Sequence, residues 1–398
     1  MTAEGGPHIA LIAGEPSGDE LGARLMAALR AETGGGVRIS GVGGSRMRAE
    51  GLTSHVPMHD LSVMGLAEVV PHLPRLRRHL ATTVAAVRAD PPDAVVTIDS
   101  PGFTLRVQRA LADLDAARIH YVAPQVWAWK AGRVKRLGRD LDLLLTLLPF
   151  EPPLFARHGL DARFVGHPAV ERAATAPDGG RFRARHTIPE RAPLVCVLPG
   201  SRRGEVDRLL PIFEATLAGL ATAFLGLHAV VPTVPAVEAR VRAAVANWPV
   251  PTAIVTDAEE KTAAFGAADV ALAASGTVAT ELAVAGTPAV IAYRMHPVSE
   301  VLARRMVKLD WVSVPNIVLG RDVQPEKLLE CCTPDVLTPA LAALLQDGDA
   351  RRRALADGKA VADALMGEDG PPSRAAARAI LRRIGAVPAE RDAAPAYR

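Results

Sequence analysis

The sequence contains little cysteine. Its three cysteines, Cys196, Cys331 and Cys332, form neither an even disulfide framework nor a metal-binding spacing. Adjacent cysteines rarely pair with each other, so a reducing compartment is the expected environment. The first eight residues lack a basic region followed by an apolar core, so we expect no signal peptide. These absences predict a cytoplasmic protein.

A strong charge of one sign is also missing. The net charge is only +3 over 398 residues, and nucleic acid is therefore not expected as a partner. Residues 215–237 carry no charged side chain and are long enough to span a bilayer, but His228, Pro232 and Pro235 interrupt them. We interpret this stretch as the interior of a globular domain.

Signatures of several common catalytic centres are absent. The chain has no His-Glu-x-x-His motif, no paired-cysteine motif and no Gly-x-Ser-x-Gly nucleophile elbow. The glycine-rich turn after the first predicted strand lacks the Gly-x-Gly-x-x-Gly spacing of a nicotinamide site. We therefore predict that the protein uses neither a metal nor a cofactor.

What the chain does contain is a regular alternation of apolar runs and helical segments. Alternating βα units build parallel sheets that helices cover on both faces. A chain of 398 residues is too long for one typical core and suits two such domains. The predicted strands are His8–Ile12, Val37–Gly41, Ala94–Thr97, Arg118–Val122, Leu143–Leu147, Ala162–Val165, Leu194–Leu198, Leu227–Val231, Thr252–Val255, Val270–Ala273 and Ala289–Ala292.

Turn-forming residues between positions 166 and 180 mark the expected domain boundary. The alternative interpretation is that these residues form a long loop inside one large sheet. The predicted domains are residues 1–168 and 169–370, followed by a C-terminal helix and tail at 371–398. Both domains are expected to be doubly wound, Rossmann-like α/β domains, with ligands held in a cleft between them at the carboxyl ends of the strands.

The segment from Ala271 to Arg294 is the most informative. An apolar strand is followed by the turn Ser275-Gly276-Thr277, by a helix that ends near Gly286, and by a second apolar strand. The first turn of a helix favours an anion, and glycine lets a phosphate approach the backbone. Glu281 lies on the same helix face as Thr277 and suits ribose hydroxyls. Close packing of small residues is the alternative interpretation.

Two further turns follow strands of the first half. Residues 13–19 bring Gly14, Glu15, Ser17, Gly18 and Asp19 to the end of the first strand, either as cleft-lining groups or as a plain turn with Asp19 as a cap. Asp99 ends the strand at 94–97, just before Pro101 and Gly102. A carboxylate there could take a proton from an attacking hydroxyl, unless it is only a cap or turn residue.

The second half repeats this arrangement after its own first strand. In the sequence Leu198-Pro-Gly-Ser-Arg-Arg-Gly, Gly200 and Ser201 can present backbone N–H groups to an anion. Arg202 or Arg203 can pair with phosphate oxygens in a forked geometry. Simple solvation of these arginines is the alternative.

A basic amphipathic segment lies between Met64 and Leu80. It carries Met64, Val69, Leu73, Leu76 and Leu80 together with Arg75, Arg77 and Arg78, a combination that suits an anionic bilayer or an acyl chain with a phosphate head. Pro71 and Pro74 argue against one straight helix. An ordinary core-facing helix is the alternative.

Taken together, the motifs resemble the lipid-A-disaccharide synthase family, which consists of inverting glycosyltransferases of the GT-B architecture. The resemblance covers residues 9 to about 384. The motifs that carry it are Gly14–Asp19, Tyr121–Lys130, Leu148–Glu151, Phe164–Pro168, Leu198–Arg202, Ala274–Thr277 with Glu281, and Val314–Asn316.

The resemblance implies that UDP-2,3-diacylglucosamine and 2,3-diacylglucosamine 1-phosphate are joined by a β-1,6 bond, with release of UDP and without a metal. It implies peripheral association with the cytoplasmic face of the inner membrane, and it leaves open whether the chain forms a homodimer. Asp99 matches the general base, and Gln125 belongs to a matched motif as a cleft residue. The expected UDP-binding positions are Ser201, Arg202, Ser275, Gly276, Thr277, Glu281 and Asn316.

This chain departs from the family pattern shortly after Asp99, because Gly102 and Thr104 stand where the family usually has Asp and Asn. Two other functions stay open at this point. One is a UDP-sugar epimerase of the same architecture, and the other is a lipid-binding scaffold without catalytic activity.

Overall fold

The computed structural model describes residues 6–61, 66–124, 137–176, 178–295 and 310–386, and it describes no side chains for residues 66–71. By internal contacts the chain divides into two units. The first unit consists of Met1–Pro168 together with Met366–Arg398, and the second consists of Ala169–Leu365.

The first unit is built on a parallel sheet of six strands in the order β2-β1-β3-β4-β5-β6. Strand β1 pairs with β2 on one side and with β3 on the other, so the chain crosses back over β1 after β2. The strands are β1 (His8–Ala13), β2 (Arg38–Val42), β3 (Ala94–Ile98), β4 (Ala117–Tyr121), β5 (Leu143–Thr146) and β6 (Ala162–Phe164).

The second unit has the same design, with the order β12-β11-β10-β7-β8-β9. Its first strand, β7, pairs with β8 on one side and with β10 on the other. The strands are β7 (Leu194–Leu198), β8 (His228–Pro232), β9 (Thr252–Val255), β10 (Val270–Ala274), β11 (Ala289–Tyr293) and β12 (Glu326–Leu328).

Helices alternate with these strands along the chain. They are α1 (Pro16–Glu32), α2 (Ser45–Ala49), α3 (Leu66–Ala89), α4 (Pro101–Ala110), α5 (Glu151–Ala156), α6 (Pro168–Ala174), α7 (Gly179–Arg185), α8 (Arg203–Ala223), α9 (Glu238–Val245), α10 (Ala258–Ala267), α11 (Val278–Val284), α12 (Val314–Leu319), α13 (Pro334–Leu345), α14 (Asp349–Met366) and α15 (Pro372–Arg383). Short 3-10 turns lie at Met58–Asp60 and Leu329–Cys331.

The central strands of both sheets are buried on both faces, which explains their continuous apolar sequences. All residues of β1, β3, β7 and β10 are buried. Apolar residues of both sheet faces belong to separate core clusters with the flanking helices. The two-domain α/β prediction is thereby confirmed, and each of the eleven predicted strands is present within one or two residues.

The last helix, α15, completes the first unit. Its residues Ala376 and Ile380 are buried in the same cluster as Ile9 and Ile98 of the sheet. Glu32 at the end of α1 accepts hydrogen bonds from the guanidinium groups of Arg374 and Arg378. The unit that begins with β1 is therefore closed by residues from the far end of the sequence.

Candidate functional site

Each sheet has a topological switch point. There, the connections that follow two neighbouring strands run in opposite directions along the sheet. In α/β sheets ligands bind at the carboxyl ends of the strands that flank such a point. In the first unit these ends carry residues 14–19 after β1 and Asp99-Ser100 after β3. In the second unit they carry residues 199–202 after β7 and 275–277 after β10.

The Asp99-Ser100 turn has an unusual backbone conformation. Asp99 has φ of 51° and Ser100 has φ of 45°, both in the left-handed region that side chains other than glycine rarely adopt. The Thr104 hydroxyl donates to the carbonyl oxygens of Asp99, at 2.6 Å, and Ser100, at 2.9 Å. Strained residues of this kind cluster at functional sites. Thr104 thus holds the turn, while Gly102 is exposed and has open space around it.

The turn after β1 lies directly against Asp99-Ser100. A Cβ atom at Gly14 would come within 2.6 Å of the Ser100 Cβ, so only glycine fits there. The Ser17 hydroxyl donates to Asp99 Oδ2 at 3.3 Å. Burial, together with the nearby Asp99 carboxylate, raises the pKa of Glu15 to about 7. The structure therefore brings Gly14, Glu15, Ser17 and Asp99 together.

A buried polar group, which was not predicted from the sequence, lies under this turn. His120 of β4 is fully buried, and its Nδ1 lies 2.8 Å from the Thr97 hydroxyl. Burial lowers the pKa of His120 to about 4, so the imidazole is neutral at neutral pH. Gln108 donates to Thr97 Oγ1 and to two strand carbonyls. The only sequence signal was a set of polar residues within apolar strands.

Asp19 and Gly18 follow the same strand as Gly14, Glu15 and Ser17, but they make different contacts. Asp19 is 3% exposed, and its carboxylate accepts the backbone N–H groups of Gly44, Arg46 and Met47 at 2.7–3.0 Å. It binds backbone N–H groups at the start of α2, a different helix from the one that contains Asp19. A Cβ at Gly18 would lie 3.2 Å from the Ile98 carbonyl, which indicates close packing. Gln125 lies outside the described residues.

In the second unit, the turn after β7 leads into the 21-residue helix α8. Gly200 has φ of 104°, and the Arg202 side chain is 74% exposed. Arg202 donates to Glu205 Oε1 at 2.9 Å, and the Tyr293 hydroxyl donates to the same oxygen at 3.4 Å. Buried Glu205 thereby orients an exposed guanidinium beside Ser201 at the start of a long helix. This arrangement suits a phosphate group.

The neighbouring turn, Ser275-Gly276-Thr277, precedes α11, a helix of seven residues. Ser275 donates its N–H to the Ala292 carbonyl of β11 at 3.3 Å. Glu281 follows on α11, where Oε1 pairs with Arg172 at 3.0 Å and Oε2 pairs with Lys261 at 2.6 Å. The two cations fix the orientation of the Glu281 carboxylate.

Asn316 lies at the start of α12 and is fully buried. Its Oδ1 accepts the N–H groups of Val323 and Gln324 at 2.8 Å, and its Nδ2 donates to the Gln324 carbonyl and to Glu326 at 3.0 Å. The side chain therefore ties α12 to β12 and uses all its hydrogen-bonding capacity within the protein.

The basic segment forms part of α3, which runs through both Pro71 and Pro74 as one helix. Arg75 is ion-paired with buried Asp60, while Leu76 and Leu80 pack on the core. Arg77 and Arg78 are exposed and Leu73 is half-buried. Met64 lies outside the described residues, as does the side chain of Val69.

Two kinds of feature are absent from the described part of the chain. Within those ranges, no group of three or more His, Cys, Asp or Glu side chains is arranged to hold a metal ion. No helix in the same ranges combines the length and apolar character that crossing a membrane requires.

Comparison with solved structures places the fold among known ones. A protein of Listeria monocytogenes assigned as a UDP-N-acetylglucosamine 2-epimerase matches with a TM-score of 0.69 at 13% identity, over 96% of this chain and 98% of that one. MurG of Acinetobacter baumannii matches with a TM-score of 0.58 at 14% identity, over 96% and 100%. Both matches support the GT-B fold.

Sequence comparison identifies the family. The family model for lipid-A-disaccharide synthetase matches residues 9–377. The lipid-A-disaccharide synthase of Rhodospirillum centenum is 52% identical over 378 residues, which cover 94% of each chain. With the carboxylate at one switch point and the arginine turn at the other, these matches show that the chain belongs to the lipid-A-disaccharide synthase family of glycosyltransferases.

Proposed function

We propose that the protein transfers 2,3-diacylglucosamine from its UDP derivative to the 6-hydroxyl of 2,3-diacylglucosamine 1-phosphate. The product would be the β-1,6-linked disaccharide 1-phosphate, formed with inversion at the anomeric carbon. The observation that carries the proposal is the position of Asp99 at the switch point of the first unit, in a turn held by Thr104. Family membership supplies the class of reaction.

In the proposed step, Asp99 accepts the proton of the acceptor 6-hydroxyl as its oxygen attacks the anomeric carbon. The bond from that carbon to the diphosphate oxygen breaks, and UDP leaves with the bonding electrons. A positioned general base contributes typically 10²–10⁴-fold to the rate. The backbone strain at Asp99 and Ser100 is consistent with a carboxylate held in one orientation.

The second unit would bind UDP and stabilise the charge that develops on the leaving diphosphate. Arg202, Ser201 and the start of α8 supply a guanidinium and a helix dipole, the usual means of stabilising such charge. We assign Gly276 and Thr277 to the same anion and the carboxylate of Glu281 to the ribose hydroxyls. The proposed role of Asn316 is indirect, because its side chain holds neighbouring backbone.

We further propose that the protein acts at the cytoplasmic face of the inner membrane as a peripheral protein. Both proposed substrates carry acyl chains, and α3 presents Arg77 and Arg78 to solvent next to half-buried Leu73. Arg75 is assigned a structural role in this proposal, because it pairs with Asp60. Exposed arginines near an apolar surface suit anionic lipid headgroups.

The test is release of UDP by purified protein in detergent, with both substrates present. We expect release to require the acceptor, to be unaffected by EDTA, and to fall at least ~100-fold in Asp99→Ala. Asp113→Ala is the matched control, since that aspartate is 67% exposed and pairs with Arg88 at the surface. An epimerase would instead modify the donor without acceptor, and a lipid-binding scaffold would show no dependence on Asp99.

A further inference from the structure

We propose that Gln108 is a positioning residue for Asp99, because it fastens the helix that follows Asp99 to the strands beneath that helix. This inference rests on the proposed function and concerns the support of the base, not the base itself. Asp99 and Ser100 form the direct connection between β3 and α4. A movement of α4 relative to β3 would therefore displace Asp99.

The side chain of Gln108 is fully buried on α4 and contacts two strands at once. Its Nε2 donates to the Val95 carbonyl and to Thr97 Oγ1 of β3, both at 3.0 Å. The same nitrogen lies 2.9 Å from the Ile119 carbonyl of β4. Carbonyl oxygens only accept hydrogen bonds, so the amide nitrogen, and not the amide oxygen, must face the strands. One side chain thus holds α4 on both β3 and β4.

Thr97 extends this contact to a side chain of the neighbouring strand. Its Oγ1 lies 2.8 Å from Nδ1 of His120 on β4, so three side chains connect α4, β3 and β4. His120 directly precedes Tyr121, whose carbonyl accepts the Asp99 N–H at 2.9 Å. Thr97 itself lies two residues before Asp99. The network therefore holds the backbone that carries Asp99 from all three elements around it.

The network supports the site and does not act on substrate. Gln108, Thr97 and His120 are fully buried, so their side chains are out of reach of a ligand. Burial lowers the pKa of His120 to about 4, so the imidazole is neutral at neutral pH and brings no charge to the site. What these polar groups add to apolar packing is direction, because hydrogen bonds weaken steeply when they are misaligned.

The left-handed turn at Asp99 and Ser100 needs such support, because its backbone conformation is unfavourable. Thr104 holds the two carbonyl groups of the turn. Gln108 lies one helical turn further along α4 and holds the helix itself on the sheet. A misplaced catalytic group can cost about 100-fold in rate, so loss of the Gln108 contacts should lower kcat. Binding of UDP, which is assigned to the second unit, should not change.

The first test is Gln108→Met, which keeps the length of the side chain and removes its donor. We expect kcat for UDP release to fall ~10-fold because the base is displaced, while the Kd for UDP, measured by calorimetry, stays at its wild-type value. An unchanged kcat would overturn the proposal. A Kd that rises together with the loss of kcat would also contradict it, since the effect would then reach the second unit.

The matched control is His8→Leu, which removes a buried polar side chain from the opposite edge of the same sheet. His8 begins β1, is 4% exposed, and its Nε2 lies 2.9 Å from Ser40 Oγ. We expect this variant to lose stability in urea unfolding, as Gln108→Met does, and to keep its kcat. An equal loss of kcat in both variants would refute the positioning role, because it would reflect general destabilisation.

Thr97 offers a second pair of variants that changes fewer contacts. Thr97→Val keeps the shape of the side chain and removes the hydroxyl, whereas Thr97→Ser keeps the hydroxyl and removes a methyl group. Only the serine variant retains the contacts to Gln108 and His120. We therefore expect kcat to fall in Thr97→Val and to stay near the wild-type value in Thr97→Ser. Equal values, or the reverse order, would contradict the proposal.

A third measurement does not depend on activity. The N–H groups of Asp99, Phe103 and Thr104 are hydrogen-bonded within and beside the turn, so their hydrogen exchange reports its local opening. We expect this exchange to be ~5-fold faster in Gln108→Met, the effect of about one net hydrogen bond, and unchanged in His8→Leu. Wild-type exchange in Gln108→Met would overturn the inference. Failure of the wild type to release UDP would overturn the proposed function alone, and hydrogen exchange then decides on the network.

Discussion

At the residue scale, the Asp99-Ser100 turn shows how one hydroxyl group can hold an unfavourable backbone conformation. The Thr104 hydroxyl donates to two carbonyl groups of this left-handed turn. The hydroxyl thereby offsets the cost of that conformation, which is of the order of 1–3 kcal/mol per residue. Thr104 thus contributes to the orientation of Asp99.

Thr104→Val keeps the shape of the side chain and removes both hydrogen bonds. We expect a loss of about 1 kcal/mol in the free energy of unfolding. We also expect a fall in kcat of ~10-fold, since small misplacements of a catalytic group are costly. Urea unfolding and the UDP-release assay measure the two effects.

Thr83→Val is the matched control for this substitution. Thr83 is also buried and donates to a helix carbonyl, that of His79, at 2.8 Å. The control should lose similar stability and keep its kcat. If both variants lost kcat to the same extent, the effect would reflect general destabilisation and not the orientation of Asp99.

At the scale of elements, α3 divides its side chains between two tasks. Leu76, Leu80 and Val84 pack against the core of the first unit, and Arg75 and His79 contact Asp60. Arg77 and Arg78 are exposed. The amphipathic pattern therefore reflects a core-facing side as well as a basic side.

We expect Arg77→Ala with Arg78→Ala to reduce sedimentation with vesicles of anionic phosphatidylglycerol, at a cost of about 1 kcal/mol for each cation removed. The loss should shrink as salt is added, because headgroup attraction is screened. The double variant Arg106→Ala with Arg157→Ala removes two exposed arginines of the same unit and serves as control. Equal binding by the wild type and the Arg77/Arg78 variant would remove α3 from the membrane proposal.

The elements differ in how well the sequence predicts them. The eleven predicted strands are found because buried parallel strands carry continuous apolar runs between turn residues. Strand β12, Glu326–Leu328, was missed because it has three residues, two of them charged, at the edge of the sheet. Short edge strands of this kind lack the apolar pattern.

Site residues were harder to predict than strands, because a motif gives the position of a residue and not the partner of its side chain. Asp19 and Asn316 share motifs with residues of the proposed site, yet their side chains bind backbone N–H groups. The hydrogen bond from Ser17 to Asp99 joins residues 82 positions apart, through pairing of β1 with β3. Only the folded sheet brings these side chains together.

At the scale of the whole molecule, the first unit is discontinuous in sequence. Glu32 of α1 binds Arg374 and Arg378 of α15 and so joins the two parts of this unit. Hydrogen bonds from Arg378 lower the pKa of Glu32, and those from Arg374 contribute. An acid with a lowered pKa contributes stability that is present at neutral pH and lost as pH falls through its folded-state pKa.

Glu32→Gln should therefore lower Tm at neutral pH, by the equivalent of about 1 kcal/mol or less for two partly exposed ion pairs. The difference between variant and wild type should shrink as pH falls through the lowered folded-state pKa of Glu32, because the wild-type carboxylate then becomes protonated as well. Differential scanning calorimetry across this range measures both. A difference that persists in acid would show that packing, and not charge, holds α15 on α1.

The return of α15 to the first sheet also has a consequence for biosynthesis. Ribosomes deliver a chain from its N-terminus, and domains commonly fold in that order. Here the sheet that carries Asp99 emerges first, but Ala376 and Ile380, which cover it, emerge after the entire second unit. The second unit is thus the first that can be completed. The proposed catalytic base gains its finished scaffold only when synthesis of the chain is almost over.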